Sequence, residues 1–291
     1  MEYDLIHNIS FQWRPTKCST KMDIAHLSPL SYFKNTFKTT YIQPCVDVVI
    51  PTKQYDHKRY LHWLKNPEVA QIIVLYNGPP TTSIVSHDKI VIIHCNWLGH
   101  GATRNLAIPK IKSKYIFFTV DDAIPLRSTL SPLVEFLDNN NNREASAIVA
   151  RQCPWPTAHP YIQHRIFQYM PTKQSKPYLF HQCDNVGTLY RSNIFINDPF
   201  PTVDIAEDYI WALNKKIYCH PNACILHSHQ RNPIDLFHRE RHIHRVLKNY
   251  IDISTSTETI LFTLRQAQKH GLREGLNTFF ENLGMQIGYH Y

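Results

Sequence analysis

Four short runs in the first half of the chain are almost continuously apolar and rich in β-branched residues: VDVVI from Val46, QIIVLY from Gln71, KIVIIHC from Lys89 and YIFFTV from Tyr115. Strands buried on both faces read this way, and they typify parallel sheets. Between them the apolar positions switch to helical spacing. Tyr60, Leu61 and Leu64 do so within YDHKRYLHWLKN, and ATRNLAI runs toward Pro109. Strand and helix in alternation predict an α/β fold, an open and mainly parallel sheet with helices on both faces. In such sheets ligands bind beyond the carboxyl ends of the strands.

Farther along, TLSPLVEFLDNNNN reads as a helix ending in an asparagine-rich turn, and ASAIVARQ from Ala145 as a further strand. Cys153 to Gln182, rich in Pro, His, Tyr and Gln, reads as a long loop or insertion. A helix is expected to start near Ala206. KIYCH and ACILHSH read as a hairpin-like pair joined at Pro221-Asn222, and the chain is helical from about Pro233. The pattern divides the chain into an N-terminal extension (1–44) without clear periodicity, an α/β domain (45–231) and a C-terminal helical region (232–291). That last region carries apolar residues at Ile260, Leu261, Leu264, Leu272, Leu276 and Phe279, with basic residues interleaved. Packing on the α/β domain explains them; interfacial contact with a membrane is the alternative.

Composition narrows the function classes. The formal charge of +8 over 291 residues favours anionic partners such as nucleotide phosphates or anionic lipid. No nucleic-acid motif accompanies it, so nucleic acid is not expected as a partner. The seven cysteines are scattered without a CxxC pair, which suits free thiols in a reducing cytoplasm. The 18 histidines lack zinc-ligand spacing. No stretch approaches the ~20 apolar residues of a membrane span, and the N-terminus has no signal or transit pattern. The expected location is cytoplasmic, with peripheral contact at the inner face of the membrane as an extension of that reading.

The candidate chemistry begins at Asp121-Asp122. Two adjacent carboxylates at a strand end suit Mg2+ or Mn2+ held jointly with substrate phosphates; a solvated turn capping the next helix is the plainer alternative. Four other stretches accompany the pair: IPTKQ after the first strand, YNGPP after the second, GHGATRNLAI after the third, and VDIAEDYIWAL from Val203. Together, in this order, they resemble the family 2 glycosyltransferases of the GT-A fold, a Rossmann-like nucleotide-binding architecture. The stretch ILHSHQRNPIDLFHRE is similar to bacterial rhamnosyltransferase-type members.

The resemblance implies an inverting, metal-dependent glycosyltransferase. Its partners would be a nucleotide-sugar donor (UDP- or dTDP-linked) and a saccharide or lipid-linked acceptor, in surface polysaccharide synthesis. Pro51, Thr52, Asn77, Arg104, Asn105, Asp121 and Asp122 fall at donor-binding positions. An amide at Asn77 can both donate to and accept from a pyrimidine edge. Arg104 and Asn105, at a helix start, are expected at the diphosphate or ribose, with the helix N–H groups assisting. Val120 stands where the family has its first Asp, which leaves Asp122 as the metal ligand and Asp121 nearer the ribose. Asp208 is implied as the general base, with Glu207 as support or substitute; acids favouring a helix N-terminus is the bland reading. Trp211, three residues on, would share a face with Asp208 and stack on the acceptor sugar. His227 and His229 alternate and so face one side; His229 is the candidate second metal ligand, and one of the two could equally be a core histidine. Competing classes are a sugar nucleotidyltransferase, which would carry a Gly-rich phosphate loop that IPTKQ lacks, and a catalytically impaired nucleotide-sugar-binding protein of the same fold.

Overall fold

Strand β1 (Val46–Thr52) forms the centre of the first half, and its alternation explains the layers. Val46, Val48 and Ile50 face one way, onto Tyr60, Trp63 and Leu133; Val49 faces the other, with Ile116, Phe118, Phe195 and Phe200. All these are almost fully buried, each contributing about 1.5–3 kcal/mol of transfer free energy. In this computed structural model the described residues are 43–79, 87–126, 128–171, 174–180, 182–229, 232–251 and 272–290. They belong to one unit, Gln43–Tyr291. The N-terminal extension lies almost wholly outside the described residues, as do Ile260, Leu261 and Leu264.

The expected strands are present as β1, β2 (Val69–Tyr76), β3 (Ile90–His94), β4 (Tyr115–Thr119) and β6 (Ala145–Cys153). A two-residue strand, β5 (Ile124–Pro125), precedes β6. β1 pairs in parallel with β2 and β4, and β2 with β3. Helix α1 (His57–Leu64) starts at Asp56, whose side chain accepts from Lys58 N, and it buries Tyr60 and Trp63 against the sheet. Helix α2 (His100–Asn105) follows β3, and α3 (Ser131–Asp138) precedes the asparagine turn.

The second half departs from the sequence reading in three places. The stretch expected as a loop holds helix α4 (Pro160–Tyr169) and strand β7 (Tyr178–Leu179). Strand β8 (Gly187–Arg191) and helix α5 (Ser192–Asn197) were not expected. β8 runs antiparallel between β4 and β6, joining the two halves. The expected hairpin is instead one strand, β9 (Lys216–Leu226), parallel to β6 throughout. Its register jumps from Ala150↔His220 to Arg151↔Cys224, so Pro221, Asn222 and Ala223 form a bulge. Proline cannot donate to the ladder, and a bulge accommodates it. Among the described residues the result is a nine-stranded sheet in the order β3-β2-β1-β4-β8-β6-β9-β5, with β7 on β9.

Helix α6 (Glu207–Ala212) begins one residue after Ala206, which takes a left-handed φ of 64°. Helices α7 (Pro233–Leu247) and α8 (Leu272–His290) pack closely on each other. A Cβ on Gly284 or Gly288 would stand 2.3 or 2.2 Å from the carbonyls of Phe237 and Arg241, so only glycine allows this approach. Arg165 on α4 is ion-paired with Glu281 on α8. Leu276 and Phe279 remain exposed. Among the described residues, no helix is long and apolar enough to cross a membrane.

Candidate active site

Strand direction decides what meets at the carboxyl edge. β1, β2 and β4 end there at Thr52, Tyr76 and Thr119, and β6 and β9 at Cys153 and Leu226. Because β8 is antiparallel, its preceding residues Asp184, Asn185 and Val186 arrive at the same edge.

The first group of residues lines an open cleft over β1, β2 and β4. Its walls include Pro51, Thr52, Asn77, Arg104 and Asp121 from the sequence reading, together with Lys53, Trp97 and His100, which that reading missed. Thr52 Oγ1 donates to Asp121 Oδ2 at 2.7 Å, and Arg59 Nη1 to the Asp121 carbonyl at 3.1 Å. Asn77 N donates to Thr52 O at 2.9 Å, while Asn77 Oδ1 is buried with no hydrogen-bond partner among the described residues. A buried acceptor without a donor costs about 1–3 kcal/mol, and the residue that carries it stands in the cleft wall. Tyr76 is buried, its hydroxyl donating to Pro79 O at 2.5 Å, and takes no part in the cleft wall.

Asp122 lies beside the cleft and belongs to a second group. β5 pairs with β9 through Ile124↔Leu226. This antiparallel register sets Asp122, two residues before Ile124, against the stretch just beyond Leu226. His227 Nε2 lies 3.7 Å and His229 Nε2 3.5 Å from the Asp122 carboxylate, and the two Nε2 atoms are 3.0 Å apart. Ligand atoms about 2.1 Å from one cation stand about 3.0–3.4 Å apart at octahedral or tetrahedral angles. The three side chains therefore fit a divalent cation with little movement. His229 is the ligand expected from the sequence, where either histidine could also be a core residue; the structure brings His227 into the cluster as well. Its ring is mostly buried, yet it contributes a ligand atom to the same cluster.

A third group surrounds the start of α6. Arg104 is 4% and Glu207 2% exposed, and Arg104 Nη1 donates to Glu207 Oε1 at 2.7 Å. Asn185 Nδ2 donates to the same oxygen at 2.8 Å. Arg104 Nη1 also lies 3.0 Å from His100 Nδ1. A guanidinium only donates, so Nδ1 accepts, and burial followed by the Arg104 charge lowers the His100 pKa. Arg104 thus stands at the cleft with its charge already matched. The first N–H groups of α2 are matched as well: His100 N donates to Asp204 O at 3.1 Å and Gly101 N to Val203 O at 3.3 Å. They are not available for phosphate, contrary to the expectation. Gly101 permits the contact, since a Cβ there would meet Pro201 O at 2.0 Å.

Two further expectations change. Asn105 uses both ends of its amide on the backbone of Phe200, at 2.8 and 3.2 Å, which makes it a tie between elements. Trp211 is 3% exposed, donates to Asp198 O at 2.6 Å and packs on Tyr190 at 5.0 Å between ring centroids. It shares a helix with Asp208, but its ring belongs to the core and offers no face to a sugar.

Asp208 is half-buried. Asn185 N donates to its Oδ2 at 2.9 Å and Tyr209 N to its Oδ1 at 2.8 Å. Burial, then the neighbouring Glu207 and Asp184 carboxylates, push its pKa up to about 8. A carboxylate so placed takes up a proton readily near neutral pH.

The sequence model of glycosyl transferase family 2 matches residues 47–197. Among solved structures, GalNAc-T7 with UDP, GalNAc and Mn2+ is similar at a TM-score of 0.54 and 10% identity, over 84% of this chain and 54% of that one. The chain thus spans about half the length of that protein. The mannosyltransferase PcManGT from Pyrobaculum calidifontis, with GDP-Man and Mn2+, is similar at a TM-score of 0.50 and 12% identity, over 91% of this chain and 79% of that one. No curated protein matches in sequence. At these identities the structural likeness is one of fold, the GT-A fold. The family match takes in β1 through α5, more than half of the 291 residues and every strand that forms the cleft, and on that ground the chain belongs to glycosyl transferase family 2.

Proposed function

We propose that the chain transfers one hexosyl or rhamnosyl unit from a nucleotide-sugar to a hydroxyl of a saccharide or lipid-linked acceptor, with inversion, in polysaccharide synthesis. Residues 45–231 would carry the chemistry. One observation supports this above the rest: a proton-accepting carboxylate and a cation site stand on one sheet edge, joined by a single turn. Asn185 N holds Asp208, and Asp184, next to it, accepts from Gln152, which contacts His227.

The nucleotide would occupy the cleft. Asn77 Oδ1 accepts an N–H from the base, and Asp121, held by Thr52, faces the ribose. Asp122, His227 and His229 would hold the divalent cation. Both fold relatives were solved with Mn2+, and two imidazoles beside one carboxylate suit such a transition metal better than Mg2+. When bound, the cation stabilises charge on the departing diphosphate. Lys53 lines the cleft, so its side chain can add to that stabilisation. Arg104 instead keeps Glu207 in place, which makes Glu207 a support. Asp208 takes the acceptor's hydroxyl proton as the oxygen attacks the anomeric carbon and the C–O bond to the diphosphate breaks. The bond to the acceptor forms on the opposite face, hence inversion. Contact of the exposed Leu276 and Phe279 with a membrane surface would suit a lipid-linked acceptor.

A panel of nucleotide-sugars, tested by thermal shift with and without Mn2+ and then by turnover, decides the matter. A Mn2+-dependent shift with one donor and its transfer or slow hydrolysis are expected. Binding without any turnover would favour the impaired binding protein, a reading that Val120 at the first Asp position supports. No binding would overturn the proposal.

A further inference from the structure

Gln152 is the last residue but one of β6, at the same sheet edge. Its side chain bridges two groups. Gln152 Nε2 donates to Asp184 Oδ2, and Gln152 Oε1 lies 3.1 Å from His227 Nδ1. Asp184 Oδ1 in turn accepts from Val186 N at 3.0 Å. A carboxylate accepts only, so Asp184 fixes which end of the Gln152 amide faces it. The oxygen must then face His227, and an oxygen there requires the proton on Nδ1. In a neutral imidazole with Nδ1–H, the lone pair sits on Nε2, the atom that belongs to the cluster with Asp122 and His229. His227 N also donates to Cys153 O at 2.9 Å, which keeps the residue against the end of β6.

We infer that Asp184 and Gln152 are positioning residues that set the His227 tautomer, and so make its Nε2 a metal ligand. The inference rests on the assignment of Asp122, His227 and His229 as the cation site. The relay has a direction, and a near-isosteric change reverses it. In Asp184→Asn, Val186 N still requires an oxygen at Oδ1. The new NH2 then points at Gln152, the glutamine amide turns over, and its NH2 faces Nδ1. His227 is driven to the Nε2–H tautomer, which cannot bind a cation.

The test uses the full chain and two readouts. Nitrogen-15 NMR of the histidine rings, without metal, reads the tautomer of His227. Calorimetric titration with Mn2+ reads affinity. The parent should show Nδ1–H; Asp184→Asn should show Nε2–H and bind Mn2+ about 10–100-fold more weakly, the usual loss when a partner behind a metal ligand is changed. Gln152→Leu should lose affinity to a similar extent, and Gln152→Glu, which still offers His227 an oxygen, should regain most of it. An Nε2–H tautomer in the parent, or Nδ1–H retained in Asp184→Asn, overturns the relay whatever the titration gives. A parent that binds no Mn2+ overturns the cation site on which it rests, and the NMR result then still judges the tautomer by itself.

Discussion

Two acidic dipeptides stand on one edge of the sheet, and they are held in different ways. Asp121-Asp122 follows β4 directly. Asp121 is tied to Thr52, and the Asp122 side chain is left 40% exposed against two imidazoles. Glu207-Asp208 opens α6. Glu207 is buried with Arg104, and Asp208 is half-buried with two other carboxylates close enough to hold its pKa up to about 8. Glu207 serves the scaffold, whereas Asp121, though tied to Thr52, also lines the cleft. The second residues differ in what surrounds them. Nitrogen lone pairs and solvent around Asp122 favour a cation, whereas burial and like charge around Asp208 favour a proton. Residue type is the same, and environment sorts the roles.

The contrast is broken most forcefully at the scaffold residues. Arg104→Ala leaves Glu207 buried without its cation, a change that costs about 3–5 kcal/mol in comparable buried pairs. Asp122→Ala, at a partly exposed site, should leave stability close to that of the parent while abolishing Mn2+ binding. Urea unfolding of both variants, with Mn2+ titration of the second, checks this. Equal stability of the two would mean that the Arg104–Glu207 pair is not the support described.

Next comes Asp208→Asn, which keeps the shape and can keep the Asn185 contact, at the expense of the one from Tyr209 N, but cannot take a proton. Transfer should fall by ~10²–10⁴-fold with donor affinity unchanged. Glu207→Gln should reduce transfer far less at equal folded fraction. Single-turnover rates at saturating donor decide, and the reverse ranking would exchange the roles within the pair.

A pH series sharpens the same point. In the proposed mechanism transfer uses the ionised form of Asp208, so the rate should rise with pH and level off above about 8. The stability contribution runs the other way. Between about pH 4 and about pH 8 the unfolded chain has released this proton, since an ordinary Asp titrates near 3.9, while the folded chain keeps it. Stability therefore falls as pH rises across that window. Asp208→Asn should show a flatter melting profile there than the parent; parallel profiles would mean that the carboxyl is not held high.

The smallest effect concerns how α6 presents its acids. Ala206 takes φ 64° just ahead of Glu207, and a left-handed conformation costs a non-glycine residue roughly 1–2 kcal/mol. Ala206→Gly relieves that strain and adds flexibility to the unfolded chain, costing about 0.5–1 kcal/mol. A net gain of about 0–1.5 kcal/mol is expected by chemical denaturation, without change in Mn2+ affinity.

The fold was more legible in one half than in the other, for a physical reason. β1, β2 and β4 are buried on both faces, so their apolar runs are continuous and stand out. Gly187–Arg191 (GTLYR) has only Leu189 and Tyr190 as large core side chains, too few for a run that stands out, and its place between β4 and β6 makes it a strand. The unbroken path of β9 was hidden by Pro221 and Asn222, which read as a turn wherever no partner strand is known. At the site, Asp122, Asp208 and His229 carried motif signals. His227 shared the signal of His229 without a settled role, and Gln152 and Asn185 carried none, because their positions depend on pairings across the sheet, such as Ile124 with Leu226. Trp211 and Asn105 were misplaced for the opposite reason: helical spacing shows which residues share a face, but not which face meets the core.

The start of α2 has a dynamic consequence. The amides of a first helical turn normally exchange with solvent quickly, because nothing inside the helix accepts from them. Those of His100 and Gly101 are closed off by the carbonyls of Asp204 and Val203, which precede α6. Their hydrogen exchange therefore reports on separation of the segment that leads into α6 from the cleft wall at α2, not on fraying of α2. Two backbone amides become a local gauge of whether these two parts of the sheet edge are together, readable in the resting protein.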